Sequence, residues 1–295
     1  MARYEGSAND QDLMDAIHMA RCALNPRTMQ TKKYRIQRTD KPKRIAIVGG
    51  GIGGMECAMV LTARGHLAEI YEKSDRLGGV FIAAAAPSFK EKDRELIEWY
   101  RREIKKRGIP VHLNTEVTDV NALGADEVIV ATGAVPKKLP IPGLENAMEA
   151  TEYLYGRETG EKVVIVGGGL SGCEIAYDLI LKGKKPIIVE MKNDLIALRG
   201  VCLANSSFLR ETMALHETPV YLETTVQEIR PDGVTIKDKD GNTQDISCDN
   251  VIVSIGYNPQ PVAPASRHVH LVGDANGVGN LRTVIWRAWD VCMKL

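Results

Sequence analysis

Along the chain, short apolar runs give way to glycines and then to longer stretches of mixed polarity. Ile45 to Val48 reads IAIV and stops at Gly49-Gly50-Gly51; a helix-length segment follows, and then a second short run ends at Glu72. The order is strand, tight turn, helix, strand: a βαβ unit. It returns from Val163, 118 residues on, as VVIVGGGLSGCEIAYDLILKGKKPIIVEM. Gly49, Gly51, Gly54, Glu56, Ala58, Leu61, Gly65 and Glu72 recur as Gly167, Gly169, Gly172, Glu174, Ala176, Leu179, Gly183 and Glu190. The chain therefore contains an internal duplication.

Around the two copies the pattern predicts further elements. A helix over 93–107 places Leu96, Tyr100 and Ile104 on one face of an otherwise charged, solvated segment. Strands are expected at 111–117, 125–130, 220–229, 234–237, 251–254 and 270–272, with a turn at Asp240-Gly241-Asn242 and a closing helix from Leu281. A proline-rich linker, 135–143, joins the two units. The fold class is α/β, with two Rossmann-like three-layer units.

Each glycine turn spells Gly-x-Gly-x-x-Gly between a strand and a helix. The first glycine makes the turn, the second lets a pyrophosphate reach the backbone, and the third lets helix and strand pack closely. The helix N-terminus then offers free N–H groups and partial positive charge to phosphate. Glu72 and Glu190 each lie 21 residues beyond the middle glycine, at a strand end where a carboxylate accepts hydrogen bonds from ribose hydroxyls. A carboxylate there repels a 2′-phosphate, so Glu190 favours NADH over NADPH; Lys192 weakens the preference without reversing it.

Composition narrows the partners. The 295 residues carry 38 lysines plus arginines against 38 aspartates plus glutamates, a net charge of zero that argues against nucleic acid as a partner. No apolar run is long enough for a membrane span, and MARYEGSANDQD lacks the order of a signal peptide. A cytoplasmic protein with reduced thiols is expected. Cys22, Cys57, Cys173, Cys202, Cys248 and Cys292 include no Cys-x-x-Cys pair.

The order of the remaining motifs resembles the two-dinucleotide-binding-domain flavoproteins. Arg76-Leu77-Gly78-Gly79, Ala131-Thr132-Gly133 and Gly273-Asp274 carry the likeness over residues 43–295. It implies FAD on the first unit and a nicotinamide dinucleotide on a second unit inserted into it. The FAD domain would be 40–148 plus 251–295, the NAD(P)H domain 149–250, and 1–39 a helical and extended lead-in. Gly49, Gly51 and Gly54 would hold the FAD pyrophosphate, Glu72 the adenosine ribose and Asp274 the ribityl or pyrophosphate side. Arg282 and Thr283 would face the flavin ring. Gly167, Gly169, Gly172 and Glu190 would hold NADH. The cofactor-binding set also takes in Gly53, Arg76, Gly79, Val117, Ala131, Thr132, Gly133, Leu170, Ser171, Gly256 and Gly273. Hydride transfer needs no acid–base residue, and none is assigned.

A narrower resemblance joins Cys22-Ala23-Leu24-Asn25-Pro26-Arg27 and the ending Asn280 to Ala288 to the 2,4-dienoyl-CoA reductase, 2-enoate reductase and trimethylamine dehydrogenase family. Its full members begin with an FMN-binding barrel and a four-cysteine iron–sulfur cluster. Here the barrel is absent, and the corresponding positions near Arg3, Gly6 and Asp10 are not cysteine. One thiolate cannot hold such a cluster. No metal is assigned, and an FMN-barrel or iron–sulfur protein is a possible partner. The chain is either a free-standing homologue of the reductase module or a segment of a larger member. Two other readings stay open: an ADP-binding module without flavin chemistry, and a docking subunit.

Three features carry blander readings. His268 and His270 project to one face of a strand but lack a visible third ligand. The seven basic residues between Lys32 and Arg44 form a solvated linker. Cys57 and Cys173, on the two glycine-turn helices, fill packing positions.

Overall fold

The computed structural model describes residues 21–197 and 201–295. The first repeat builds β1 (Arg44–Val48), α1 (Ile52–Ala63) and β2 (Leu67–Tyr71). A short α2 (Phe81–Ala84) and a long α3 (Glu91–Lys106) lead to β3 (Val111–His112) and β4 (Glu127–Val130). The chain leaves through β5 (Ala134–Pro136) and forms β6 (Met148–Glu149) and α4 (Ala150–Leu154). The second repeat builds β7 (Lys162–Val166), α5 (Leu170–Leu181) and β8 (Lys185–Val189), followed by α6 (Leu203–Leu215) and β9 (Val220–Tyr221). A meander of β10 (Thr225–Arg230), β11 (Gly233–Lys237) and β12 (Thr243–Ser247) precedes β13 (Asn250–Val253). β14 (Tyr257–Pro259), β15 (Val269–Leu271) and α7 (Leu281–Cys292) close the described chain.

Two five-stranded parallel sheets result, ordered β15-β4-β1-β2-β3 and β6-β13-β7-β8-β9. In each, the strand before the glycine turn is central, and the strand order reverses beside it. Ligands of open α/β sheets bind at such switch points. The central strands are apolar throughout because both faces are covered. On the first sheet, α1, α3 and α7 bury Met55, Leu61, Tyr100 and Ile285 against Ile45, Ile47 and Ile70. On the second, α5 and α6 cover one face and the meander covers the other, with Val226, Ile229, Val234 and Ile236 on Val164, Val166, Ile187 and Val189.

Several local expectations shift. In α3 the buried stripe is Ile97, Tyr100 and Ile104, while Leu96 is only partly covered. The strand expected over 111–117 stops after His112. Asn114 turns left-handed at φ 51°, and the Asn114 and Thr115 N–H groups donate to the carbonyls of Ser74 and Glu72. The run 220–229 breaks in two at Glu223, also left-handed at φ 51°. β13 pairs between β6 and β7, so the chain returns to the first unit only beyond Val253.

The described part of the lead-in forms turns around Pro26–Tyr34 rather than a helix. Tyr34 is fully buried, edge-on to Trp289 at 5.6 Å, and its hydroxyl donates to Asp290 at 2.8 Å. The positions near Arg3, Gly6 and Asp10, and His18, lie outside the described residues.

Candidate functional site

The two glycine turns have nearly the same backbone. Gly49 and Gly167 sit at φ 111° and 108°, a region that a side chain rarely enters. Gly51 and Gly169 both begin their helices at ψ −176°. The third glycine is a packing residue: a Cβ on Gly54 would lie 1.9 Å from the Gly49 carbonyl oxygen, and one on Gly172 would lie 2.0 Å from that of Gly167. No side chain caps α1 or α5. Their first-turn N–H groups therefore remain open to an anion.

The acidic strand ends are ordered by the same turns. Glu72 Oε2 accepts from the Gly50 N–H at 2.7 Å, and Oε1 accepts from the Ser74 N–H and hydroxyl. Glu190 Oε2 accepts from the Gly168 N–H at 2.6 Å, and Oε1 from the Lys192 N–H. Each carboxylate keeps lone pairs for ribose hydroxyls. Gly50 and Gly168 are thus part of both sites, although the fingerprint leaves the position variable. The signal was there in the tripled glycine of each repeat.

All the predicted cofactor-binding residues except Gly54 and Gly172, the two packing glycines, line one cleft of about 2210 Å³. A single drug-sized ligand occupies about 300–1,000 Å³, so the cleft has room for two dinucleotides. On the first unit, the Gly78 N–H donates to the Gly50 carbonyl at 2.9 Å, bringing Gly79 against the helix start at Gly51. Arg76 is exposed at the rim and paired with Asp75. Val117, Ala131, Thr132 and Gly133 form an adjoining wall, where the Thr132 hydroxyl donates to the Gln260 carbonyl at 2.8 Å. Gly273 and Asp274 follow β15; burial raises the Asp274 pKa, and its carboxylate accepts from the Gly279 N–H. At the start of α7, Asn280 and Thr283 cap the helix reciprocally. Arg282 is buried and stacks over Trp286 at 4.3 Å. On the second unit, Gly167, Gly169, Leu170, Ser171 and Glu190 line the other half, with Gly256 at the return between the units. Tyr155, Lys90, Asp93 and Glu174 also line it. Of these, sequence reasoning marked only Glu174, and only as the repeat counterpart of Glu56.

The residues that would carry FAD and a dinucleotide fit both groups: two open helix N-termini, two ordered carboxylates and backbone without side chains where phosphate would approach.

The other candidates fall outside the cleft. His268 and His270 converge on Glu127, with His270 Nε2 at 2.9 Å from one oxygen and His268 Nδ1 at 3.6 Å from the other. Burial opposes ionisation of Glu127, yet Lys43 at 2.7 Å and His270 hold its pKa below the ordinary value. No group of three potential ligands among the described residues is arranged to hold a metal. Cys57 and Cys173 are fully buried; burial pushes Cys57 well up and Cys173 up to about 12. The Cys22 carbonyl accepts from the Trp286 indole at 3.1 Å. No helix among the described residues is long and apolar enough to cross a membrane.

A family model for pyridine nucleotide-disulphide oxidoreductases matches residues 25–125 and 120–278. The chain belongs to this family. A cinnamate reductase of Clostridium sporogenes is 35% identical over 283 residues, 93% of this chain and 42% of that protein. An NADH oxidase of Thermoanaerobacter brockii is 31% identical over 291 residues, 93% of this chain and 44% of that protein. A solved 2-naphthoyl-CoA reductase, in complex with 2-naphthoyl-CoA, matches with a TM-score of 0.84 at 30% identity, over 93% of this chain and 43% of that one. The likeness to the enoate-reductase flavoproteins therefore holds, as does the two-dinucleotide-binding α/β fold. The family is one of pyridine nucleotide-dependent oxidoreductases, and FAD and NAD(H) are the groups that the two cradles fit. It spans less than half the length of these relatives.

Proposed function

We propose that the chain passes a hydride from NADH to FAD and sends the electrons on to a partner flavin or iron–sulfur protein, or to a soluble acceptor. One observation carries the reading: two matched phosphate cradles open into one continuous cleft. FAD would lie on the first unit, residues 40–148 with the return after Val253, and NADH on the unit between. When bound, the flavin supplies the hydride acceptor and the nicotinamide the donor. The protein's part is to hold both ends. Gly51 and Gly169 head the helices that receive the pyrophosphates, and Glu72 and Glu190 accept from the riboses. The N-terminus of α7 at Arg282 and Thr283 lines the cleft and would offer positive potential to a flavin bound there.

The nearby cations support a preference for NADH. The Lys192 ammonium donates to the Ala197 carbonyl at 3.1 Å, and Arg210 is engaged by Asp194 and the Leu195 carbonyl. Both are occupied beside a carboxylate that repels a 2′-phosphate. Cinnamate and 2-naphthoyl-CoA, named for the relatives, are the acceptors to try once a partner is present. Six free thiols suit a reducing cytoplasm.

A visible absorption spectrum followed by anaerobic NADH tests the reading. A flavin band that bleaches within seconds is the expected result. Colourless protein that refuses added FAD but binds ADP would replace it with the nucleotide-binding module.

A further inference from the structure

The two cradles are tied together by a short stretch of chain outside both. After α2, residues 85–90 of the first unit lie against the second before the chain turns back into α3. Arg94 gathers this stretch from below: its guanidinium donates to the carbonyls of Ala85 at 2.7 Å, Pro87 at 2.6 Å and Ser88 at 3.0 Å. The backbone so fixed presents two side chains across the gap. The Phe89 ring meets Tyr177 of α5 at 4.8 Å, and Tyr177 meets Phe208 of α6 at 5.4 Å. The Lys90 ammonium pairs with Glu174 of α5 at 2.7 Å, and both side chains are largely buried, at 16% and 20% exposure. Burial raises the Glu174 pKa against the pull of Lys90, and Asp93 beside the pair is raised by burial too.

The path is continuous at both ends. On one side the stretch runs back through α2 to Gly79, packed on the start of α1 at Gly51. On the other, Glu174 stands one turn beyond Leu170 and Ser171, at the start of α5. Whatever holds Glu174 therefore sets the aim of the second cradle relative to the first. Flavin reduction depends on that aim, since a misplacement of about 1 Å can cost about 100-fold in rate.

We propose that Lys90 and Glu174 are positioning residues for hydride transfer: their ion pair sets the distance between the two phosphate cradles, and so where the nicotinamide falls against the flavin. The inference rests on the NADH-to-FAD reading above. It assigns neither residue a part in moving protons or electrons.

The test is stopped-flow reduction of the FAD-loaded protein by NADH without oxygen. Lys90→Met and Glu174→Gln should each slow reduction at saturating NADH by about 10- to 100-fold, with the NADH dissociation constant within about threefold of wild type. Dithionite should reduce the flavin of each variant as it does wild type. The charge-reversed double variant, Lys90→Glu with Glu174→Lys, should recover most of the rate. A merely structural role would not split rate from affinity or be rescued by reversal. Unchanged rates in both single variants, a loss confined to NADH affinity, or a double variant no faster than the singles would overturn the proposal. Glu174→Gln keeps the side chain's shape, so it stands as the probe if Lys90→Met fails to fold. If NADH does not reduce the wild-type flavin, the hydride reading fails. The strap is then read by pulsed dipolar spectroscopy between spin labels at Leu113→Cys and Leu215→Cys, with Cys22 and Cys202 replaced by serine. One narrow distance that broadens in Glu174→Gln supports the strap, and an unchanged distribution overturns it.

Discussion

Glu72 and Glu190 show how one side chain serves two tasks. Each binds the N–H of its own glycine turn, so the carboxylate is already oriented before a ribose arrives. Ordering in advance reduces the entropy cost of binding. Charge at that point also discriminates. Glu190→Gln keeps an acceptor for the Gly168 N–H but removes the repulsion toward a 2′-phosphate. We expect the ratio of NADH to NADPH affinity to fall by about tenfold, the scale of one charge-assisted hydrogen bond at 1.5–3 kcal/mol. Equilibrium titration of the two nucleotides against the FAD-loaded variant measures it; an unchanged ratio would place discrimination elsewhere.

At the scale of elements, the glycine-turn helices depend on contact without side chains. A methyl on Gly54 or Gly172 would meet a carbonyl oxygen at about 2 Å, and neither backbone can give way without moving its helix. Gly54→Ala and Gly172→Ala should each cost about 1–3 kcal/mol of stability, as overpacking does. Each should also weaken only the dinucleotide on its own unit, which thermal melts with FAD or NADH added will resolve. These elements were legible because strand periodicity, glycine spacing and the acid at its fixed distance are all local. The same locality explains the failures. The left-handed turns at Asn114 and Glu223 end strands whose apolar pattern runs on, because the Asn114 turn answers to carbonyls contributed by a neighbouring loop. Ile97 is buried more deeply than Leu96, a difference set by how α3 seats on the finished sheet and not by the spacing of its own residues. Lys90 and Glu174 meet across 84 positions of sequence, and neither residue's surroundings in the chain announce the other.

The whole molecule has a separate core for each sheet, joined along the cleft. Ligand binding should therefore be felt locally. A ligand at 100 times its dissociation constant adds about 2.7 kcal/mol to whatever unit binds it. We expect FAD to slow amide exchange chiefly in β1, α1, β4 and α7, and NADH to do so in β7, α5 and β8, with the 85–90 stretch responding to both. Hydrogen exchange by mass spectrometry reads each peptide; protection spread evenly by either ligand would mean that the two cores open as one.

The route by which the second unit enters and leaves has a consequence of its own. β5 and β14 run antiparallel, with Ala134 opposite Pro259 and Pro136 opposite Tyr257. Backbone bonds close the ribbon at both ends, from Lys137 to Gly256 and from Gln260 to Gly133. Departure and return are zipped together, so the first unit is joined covalently to its guest at a single narrow neck, the 85–90 stretch adding side-chain contacts alone. Such a neck makes the guest exchangeable. A copy of the ancestral repeat tuned to another nucleotide could be grafted at this one seam, leaving the host's threading untouched.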